Sequence, residues 1–206
     1  MCNINRRQRV VRYPSFVNRT GITEQGCNGY RFLLNIPFNN SRSGNSLVVI
    51  LKNPSVANAN NCDNTISKVC NVAHNNGYDG VIIANLFPYR STNPRGVGVF
   101  YSNNHYQAIM ARNLQIINNI SQGRDVVFAW GTDTICCHNN FPLNYDNAVN
   151  NVVTNISVLA NNTFYVDRCY CAIFNCVNNQ YMLPHSNIRY PLHGLRWHNS
   201  SSLIMY

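Results

Sequence analysis

The sequence predicts an α/β fold built on a central, mostly parallel sheet, and three observations predict it. Residues 47–51, 81–84 and 126–129 are short unbroken apolar runs, the pattern of strands covered on both faces. Segments of helical period separate these runs. Each run also breaks into a polar residue and a turn former, in Lys52-Asn53-Pro54, Asn85-Leu86-Phe87-Pro88 and Trp130-Gly131-Thr132, and strand ends of that kind are where open α/β sheets place their chemistry.

The elements follow in order. Residues 1–29 are polar and basic, without period, and read as a basic N-terminal arm, disordered or laid on the surface. Residues 30–206 read as one α/β domain, since no Pro/Gly/Ser-rich linker divides them. An opening strand is expected over 30–38, with Pro37 near its end. After run 47–51 and a polar loop, Asp63-Asn64-Thr65 is a helix cap. The helix buries Ile66, Val69, Cys70 and Ala73 and stops at Asn76-Gly77. Strand 81–84 comes next, so strand, helix and strand within about forty residues make a right-handed crossover. A second helix is expected over 102–120, carrying Ile109, Leu114, Ile116 and Ile117 and closed by Gly123. Strand 125–129, a helix near 145–160, a short strand near 163–166 and a strand within 169–177 complete the pattern. The tail, 183–197, is rich in Pro, His, Arg and aromatic residues.

Composition narrows the function classes. No apolar run is long enough to span a bilayer and no signal-peptide core follows the N-terminal arginines, so a cytoplasmic protein without a membrane partner is expected. The nine cysteines are odd in number and scattered, which argues against a disulfide framework. Cys136-Cys137-His138 and the Cys169, Cys171, Cys176 group lack paired C-x2-C spacing. Neither a metal nor another cofactor is expected. The formal charge is +9, and every basic residue except Lys52 and Lys68 is arginine. Arginine grips phosphate bidentately and stacks on bases, so DNA or another nucleic acid is the expected partner. Phosphate-loop, dinucleotide and G-x-S-x-G motifs are absent.

If the three runs are parallel neighbours, Asn53, Asn85 and Trp130-Gly131 emerge at one sheet edge and line one cleft. An asparagine there positions a water through its oxygen, or reads both a donor and an acceptor on a base. In an asparagine-rich chain the alternative is that each caps a loop or helix. Phe87, Tyr89 or Trp130 would stack on the base, and Arg90, Arg95, Arg189 and Arg196 would hold flanking phosphates.

The ordered set Leu51, Asn53-Pro54-Ser55, Ala57, Asp63, Thr65-Ile66, Gly77-Tyr78, Asn85-Leu86-Phe87, Arg90, Thr92, Pro94 and Ala129-Trp130-Gly131 resembles an uncharacterised family of small bacterial and phage proteins, a domain of unknown function. More remotely it is similar to the uracil-DNA glycosylase superfamily. That resemblance implies a three-layer α/β/α sandwich and a pocket for a flipped base. Asn53 would orient the attacking water, with Tyr190 and His193 as catalytic candidates in the last loop, 189–194. Pro54, Ser55, Asn85, Phe87, Trp130 and Gly131 would bind the base. Arg90, Thr92, Arg95, Arg189 and Arg196 would bind phosphate. Tyr190 stands where the uracil enzymes carry histidine, Ser55 where mismatch-specific ones carry glycine, and no aspartate follows the first strand of the site. Three readings therefore stay open: a base-binding protein that hydrolyses an N-glycosidic bond, a non-catalytic nucleic-acid-binding protein on the same fold, and an enzyme acting on a free nucleoside or other small metabolite.

Overall fold

The computed structural model describes residues 10–27, 29–39, 44–91, 105–131, 141–166, 176–177, 180–182, 189–191, 194, 197–199 and 201–205. They form an α/β fold with one mixed sheet of seven strands and three helices. In chain order the elements are β1 (Val10–Val11), β2 (Thr23–Cys27), β3 (Tyr30–Pro37), β4 (Ser46–Leu51), β5 (Cys62–Asp63), α1 (Asn64–Asn75), β6 (Gly80–Asn85), α2 (Tyr106–Ser121), β7 (Asp125–Phe128), α3 (Phe141–Leu159), β8 (Asn162–Val166), β9 (Cys176–Val177), β10 (Gln180–Met182), β11 (Arg189–Pro191) and β12 (Leu203–Met205). The large sheet runs β12-β8-β7-β4-β6-β3-β2.

The three apolar runs are the centre of that sheet. β4 lies between β6 and β7, parallel to both, and β7 is parallel to β8. Leu47 to Leu51 are all buried, which is why the run carries no polar alternation. The expectation of a mostly parallel sheet is corrected at both margins. β3 is antiparallel to β6, β2 to β3 and β12 to β8, so parallel pairing is confined to the middle. A parallel neighbour needs a crossover that returns the chain to the same end, and β2 and β3 meet by a direct turn through Gly29 instead.

Residues 10–27, expected in the arm, lie in the domain. β1 pairs with β5, β2 forms a sheet edge, and Tyr13, Val17 and Ile22 are buried in the core. The Tyr13 hydroxyl donates to the Asn58 carbonyl at 2.7 Å. These are single anchors in irregular chain, so no hydrophobic period announces them.

The first helix follows its signals closely. Asp63 accepts from the Ile66 N–H at 2.9 Å, satisfying one of the free donors of the first turn. Ile66, Val69, Cys70 and Ala73 are buried as spaced. Gly77, with φ +83°, turns the chain out of the helix in a conformation a Cβ would strain. α2 begins at Tyr106 and packs against α3. Of the strand expected within 169–177, Cys176–Val177 is described, and it joins β10 and β11 in a separate small sheet. No helix among the described residues is long and apolar enough to cross a membrane.

Candidate functional site

The register of the central strands brings the motif residues together. Leu51 pairs with Asn85, and Ile50 with Phe128, so Asn85, Leu51 and Ala129 occupy one row at the carboxyl edge. The ladder continues beyond the strands: Leu86 N–H donates to the Leu51 carbonyl at 2.8 Å, Phe87 N–H to Lys52 at 2.9 Å and Ala129 N–H to Ile50 at 2.9 Å. Lys52-Asn53, Leu86-Phe87 and Trp130-Gly131 therefore leave the sheet side by side.

Asn85 has no exposed surface, and among the described residues neither its Nδ2 nor its Oδ1 has a hydrogen-bond partner. Its carbonyl, by contrast, is held: Asn113 Nδ2 donates to it at 2.8 Å and to the Leu86 carbonyl at 3.2 Å. The backbone that presents Asn85 is thus fixed while its amide is left unpaired. Trp130 is equally buried, with its indole Nε1 unpartnered among the described residues and its ring 4.7 Å from that of Phe128. Buried polar groups without partners cost stability and are uncommon in native interiors; Asn85, at the end of β6, and Trp130, just past the end of β7, are among the described residues that carry one, on the strands either side of β4.

Asn53 is oriented rather than orphaned. Its Nδ2 donates to the Ser91 carbonyl at 2.7 Å and to Pro54 at 3.2 Å. Two carbonyl partners fix which end of the amide is nitrogen, and Oδ1 remains an acceptor. Ser91 N–H returns a bond to the Pro54 carbonyl at 2.9 Å, stapling loop 53–55 to the segment after β6. Pro54 is buried; Ser55 donates from its hydroxyl to the Asp63 carboxylate.

Arg90 is engaged in the same loop. Its Nη1 donates to the Ser55 and Ala57 carbonyls at 3.2 and 3.3 Å, and its Nη2 pairs with Glu24. The fully buried Arg31 donates to the Ala57 carbonyl at 2.5 Å. Burial, and then the neighbouring Arg90 charge, push the Arg31 guanidinium down to about 10. Arg90, the residue expected to hold phosphate, thus also braces the Asn53 loop.

Phe87 lies 5.9 Å from the Tyr145 ring, and both are buried. Tyr145 donates to the Gly131 carbonyl at 2.7 Å, and Lys52 Nζ sits 5.2 Å from its ring centroid. Tyr89 lies further out, half-buried, edge-on to Tyr30 at 5.9 Å. The tail returns to the same edge: Gly194 N–H donates to the Ala129 carbonyl at 3.3 Å. A Cβ there would come within 3.1 Å of the Leu51 side chain and 3.3 Å of that of Val69, so a larger residue would require those side chains to give by a few tenths of an ångström.

Asn53, Asn85, Phe87, Trp130 and Gly131 thus share the carboxyl edge, beside Pro54 and Ser55. Arg189 and Tyr190 lie on β11 and are described in backbone alone. Thr92, Arg95, His193 and Arg196 lie outside the described residues, as do Cys136, Cys137, His138, Cys169 and Cys171. Cys62 and Cys70 are buried free thiols, and burial pushes Cys62 up to about 12. No group among the described residues has the makings of a metal site.

Sequence reasoning missed Asn113, Lys52, Tyr145 and Arg31. Lys52 carried one faint signal, as one of two lysines in an arginine-rich chain and the residue directly after an apolar run. Asn113 carried none that distinguishes it from its many asparagine neighbours.

A protein-family model described as a protein of unknown function, DUF1643, matches residues 31–167, about two thirds of the chain. No match is found among curated proteins or among solved structures.

Proposed function

The chain belongs to the DUF1643 family, and from that premise and the strand-end geometry we propose that it binds a nucleobase of DNA or another nucleic acid at the carboxyl edge of its sheet and hydrolyses the base's N-glycosidic bond. The architecture proposed with it is the three-layer sandwich of the uracil-DNA glycosylases. Right-handed crossovers would set α1 on one face and α2 and α3 on the other, opening a crevice between β4 and β7, whose connections diverge.

The unpaired amide of Asn85 carries this reading. A primary amide offers one donor and one acceptor edge, which matches the edge of a base, and each bond to a base replaces a deficit already present in the fold. Asn53 Oδ1, steadied through its Nδ2, would accept from the water that adds to the sugar as the carbon–nitrogen bond breaks and the base leaves. Since Asn85 has no exposed surface, entry of a base requires part of the cover to move. The +9 charge supplies attraction to phosphate.

A second reading, binding without catalysis, has its own support. The carboxylate near the Asn53 loop, Asp63, is occupied by the Ser55 hydroxyl and the helix cap, and Arg90 is occupied by loop carbonyls and Glu24. The deciding experiment incubates the protein with single- and double-stranded DNA containing uracil, mismatched thymine or modified bases, with Asn53→Ala as control. Abasic sites that depend on Asn53 support hydrolysis. Salt-sensitive binding without base release selects the non-catalytic reading, and absence of both rules out nucleic acid as the partner.

A further inference from the structure

A cavity of about 340 Å³ lies between α2 and α3, at the end of β6. Leu86, Ile117, Ala148 and Val152 are the buried apolar part of its lining, and Met110 and Leu114 are half-buried beside them. Gln107 and Asn151 are exposed amides in the same lining. None of the lining residues is charged. The volume is that of a small-molecule pocket, and apolar walls with few polar groups are the usual composition of one. An uncharged lining gives a phosphate or carboxylate no side-chain counter-ion, so a neutral guest is favoured over a charged one.

Asn113 supplies the chemical detail. It lines the cavity, its two donors are committed to the Asn85 and Leu86 carbonyls, and its Oδ1 is buried and without a partner among the described residues. We propose that this cavity is a binding site for a small neutral ring compound carrying one N–H or O–H donor, with that donor taken by Asn113 Oδ1. Such a guest fills apolar space and satisfies an acceptor left unpaired among the described residues; since Oδ1 has no accessible surface, a small shift of the side chains that cover it accompanies binding. Leu86, directly after Asn85, is part of the cavity's lining, so the site adjoins the strand end at which the base pocket is proposed. It bears on that pocket because the same Asn113 amide holds the backbone carbonyl of Asn85.

Indole is the probe, and benzofuran, of the same shape without the N–H, is its partner. Calorimetric titration of the full chain is expected to give saturable indole binding, tighter than benzofuran by about fivefold, the factor of one net hydrogen bond. Indole-3-carboxylate should bind at least tenfold more weakly than indole. Ala148→Leu fills the cavity, and Ala111→Trp covers it from an exposed position; each should weaken indole at least tenfold, the second without threatening the core. Equal binding of indole and benzofuran overturns the assignment of Asn113, while undetectable binding, or binding unchanged in Ala111→Trp, overturns the site. No nucleic acid enters this experiment, so its failure and failure of the base-binding proposal are separate results.

Discussion

Replacing Asn85 with leucine separates a functional amide from a structural one by the sign of the stability change. A buried polar group left unsatisfied costs about 1–3 kcal/mol, and Asn85 leaves both Nδ2 and Oδ1 unpaired. Leucine has nearly the same branched shape and nothing to desolvate, and its neighbours in the row are Leu51 and Ala129. Asn85→Leu is therefore expected to stabilise the fold by roughly 2 kcal/mol, raising the midpoint of thermal unfolding by about 4–8 °C for a chain of this size. Base recognition should be lost in the same variant. Urea unfolding, compared with DNA binding and abasic-site formation on the same preparations, gives both numbers. Asn85→Asp must go the other way, because it places a carboxylate at a position with no exposed surface. Destabilisation of more than about 1 kcal/mol by leucine would refute the reasoning, since it requires that the amide makes native bonds of the ordinary net worth.

Two further predictions concern the scaffold beneath the site. Asp63→Ala removes the cap bond to Ile66 and the acceptor of the Ser55 hydroxyl, so a loss of about 2–4 kcal/mol is expected; a double-mutant cycle with Ser55→Ala should return a coupling of about 1–2 kcal/mol, and near-perfect additivity would mean that the Ser55 bond is not formed in solution. The second is an alkaline limit. Burial holds Cys62 near 12 against an ordinary value of 9 and raises Cys70, Tyr13 and Tyr78 as well. The unfolded chain then sheds these protons first, so stability present below pH 9 falls as pH rises toward 12, by up to about 1.4 kcal/mol per pH unit for each buried thiol. Arg31, pushed down to about 10, works in the opposite sense above that pH but is one group against four. Chemical unfolding between pH 8 and 11 should show the decline, with a shallower slope in Cys62→Ala; a flat profile contradicts the assignment.

How much of this was legible follows from how each feature is encoded. The central strands were legible because burial on both faces of β4 leaves an uninterrupted apolar run, and α1 because Asp63 and Gly77 mark its two ends by local chemistry. The direction of β3 was not. Its alternation of buried and half-buried residues is the same whether its neighbour runs parallel or antiparallel, and only the pairing with β6 decides. The role of residues 10–27 was hidden for a related reason: Tyr13, Val17 and Ile22 each plug the core singly, and no period links them.

The site divides along the same line. That Asn53, Asn85 and Trp130 meet at one edge follows from strand ends and parallel pairing, and both are written locally in the sequence. What each asparagine does depends on which donors and acceptors are already spoken for. Asn76 gives its amide to the Val72 and Ser201 carbonyls, Asn71 to Ser67, Asn113 to Asn85 and Leu86, and Asn53 to Ser91 and Pro54. All four act as braces through Nδ2, the structural role that an asparagine-rich composition leads one to expect. Asn85 differs from them in having the same burial as Asn113 and none of its bonds. Composition makes asparagine common here, but it does not account for a fold that steadies the Asn85 backbone with one amide while leaving the Asn85 amide itself unpaired. An apolar residue in its place would be expected to raise stability, so an unpaired amide at this strand end is the feature the base-binding proposal takes up, with a ligand supplying the partners that the described residues do not.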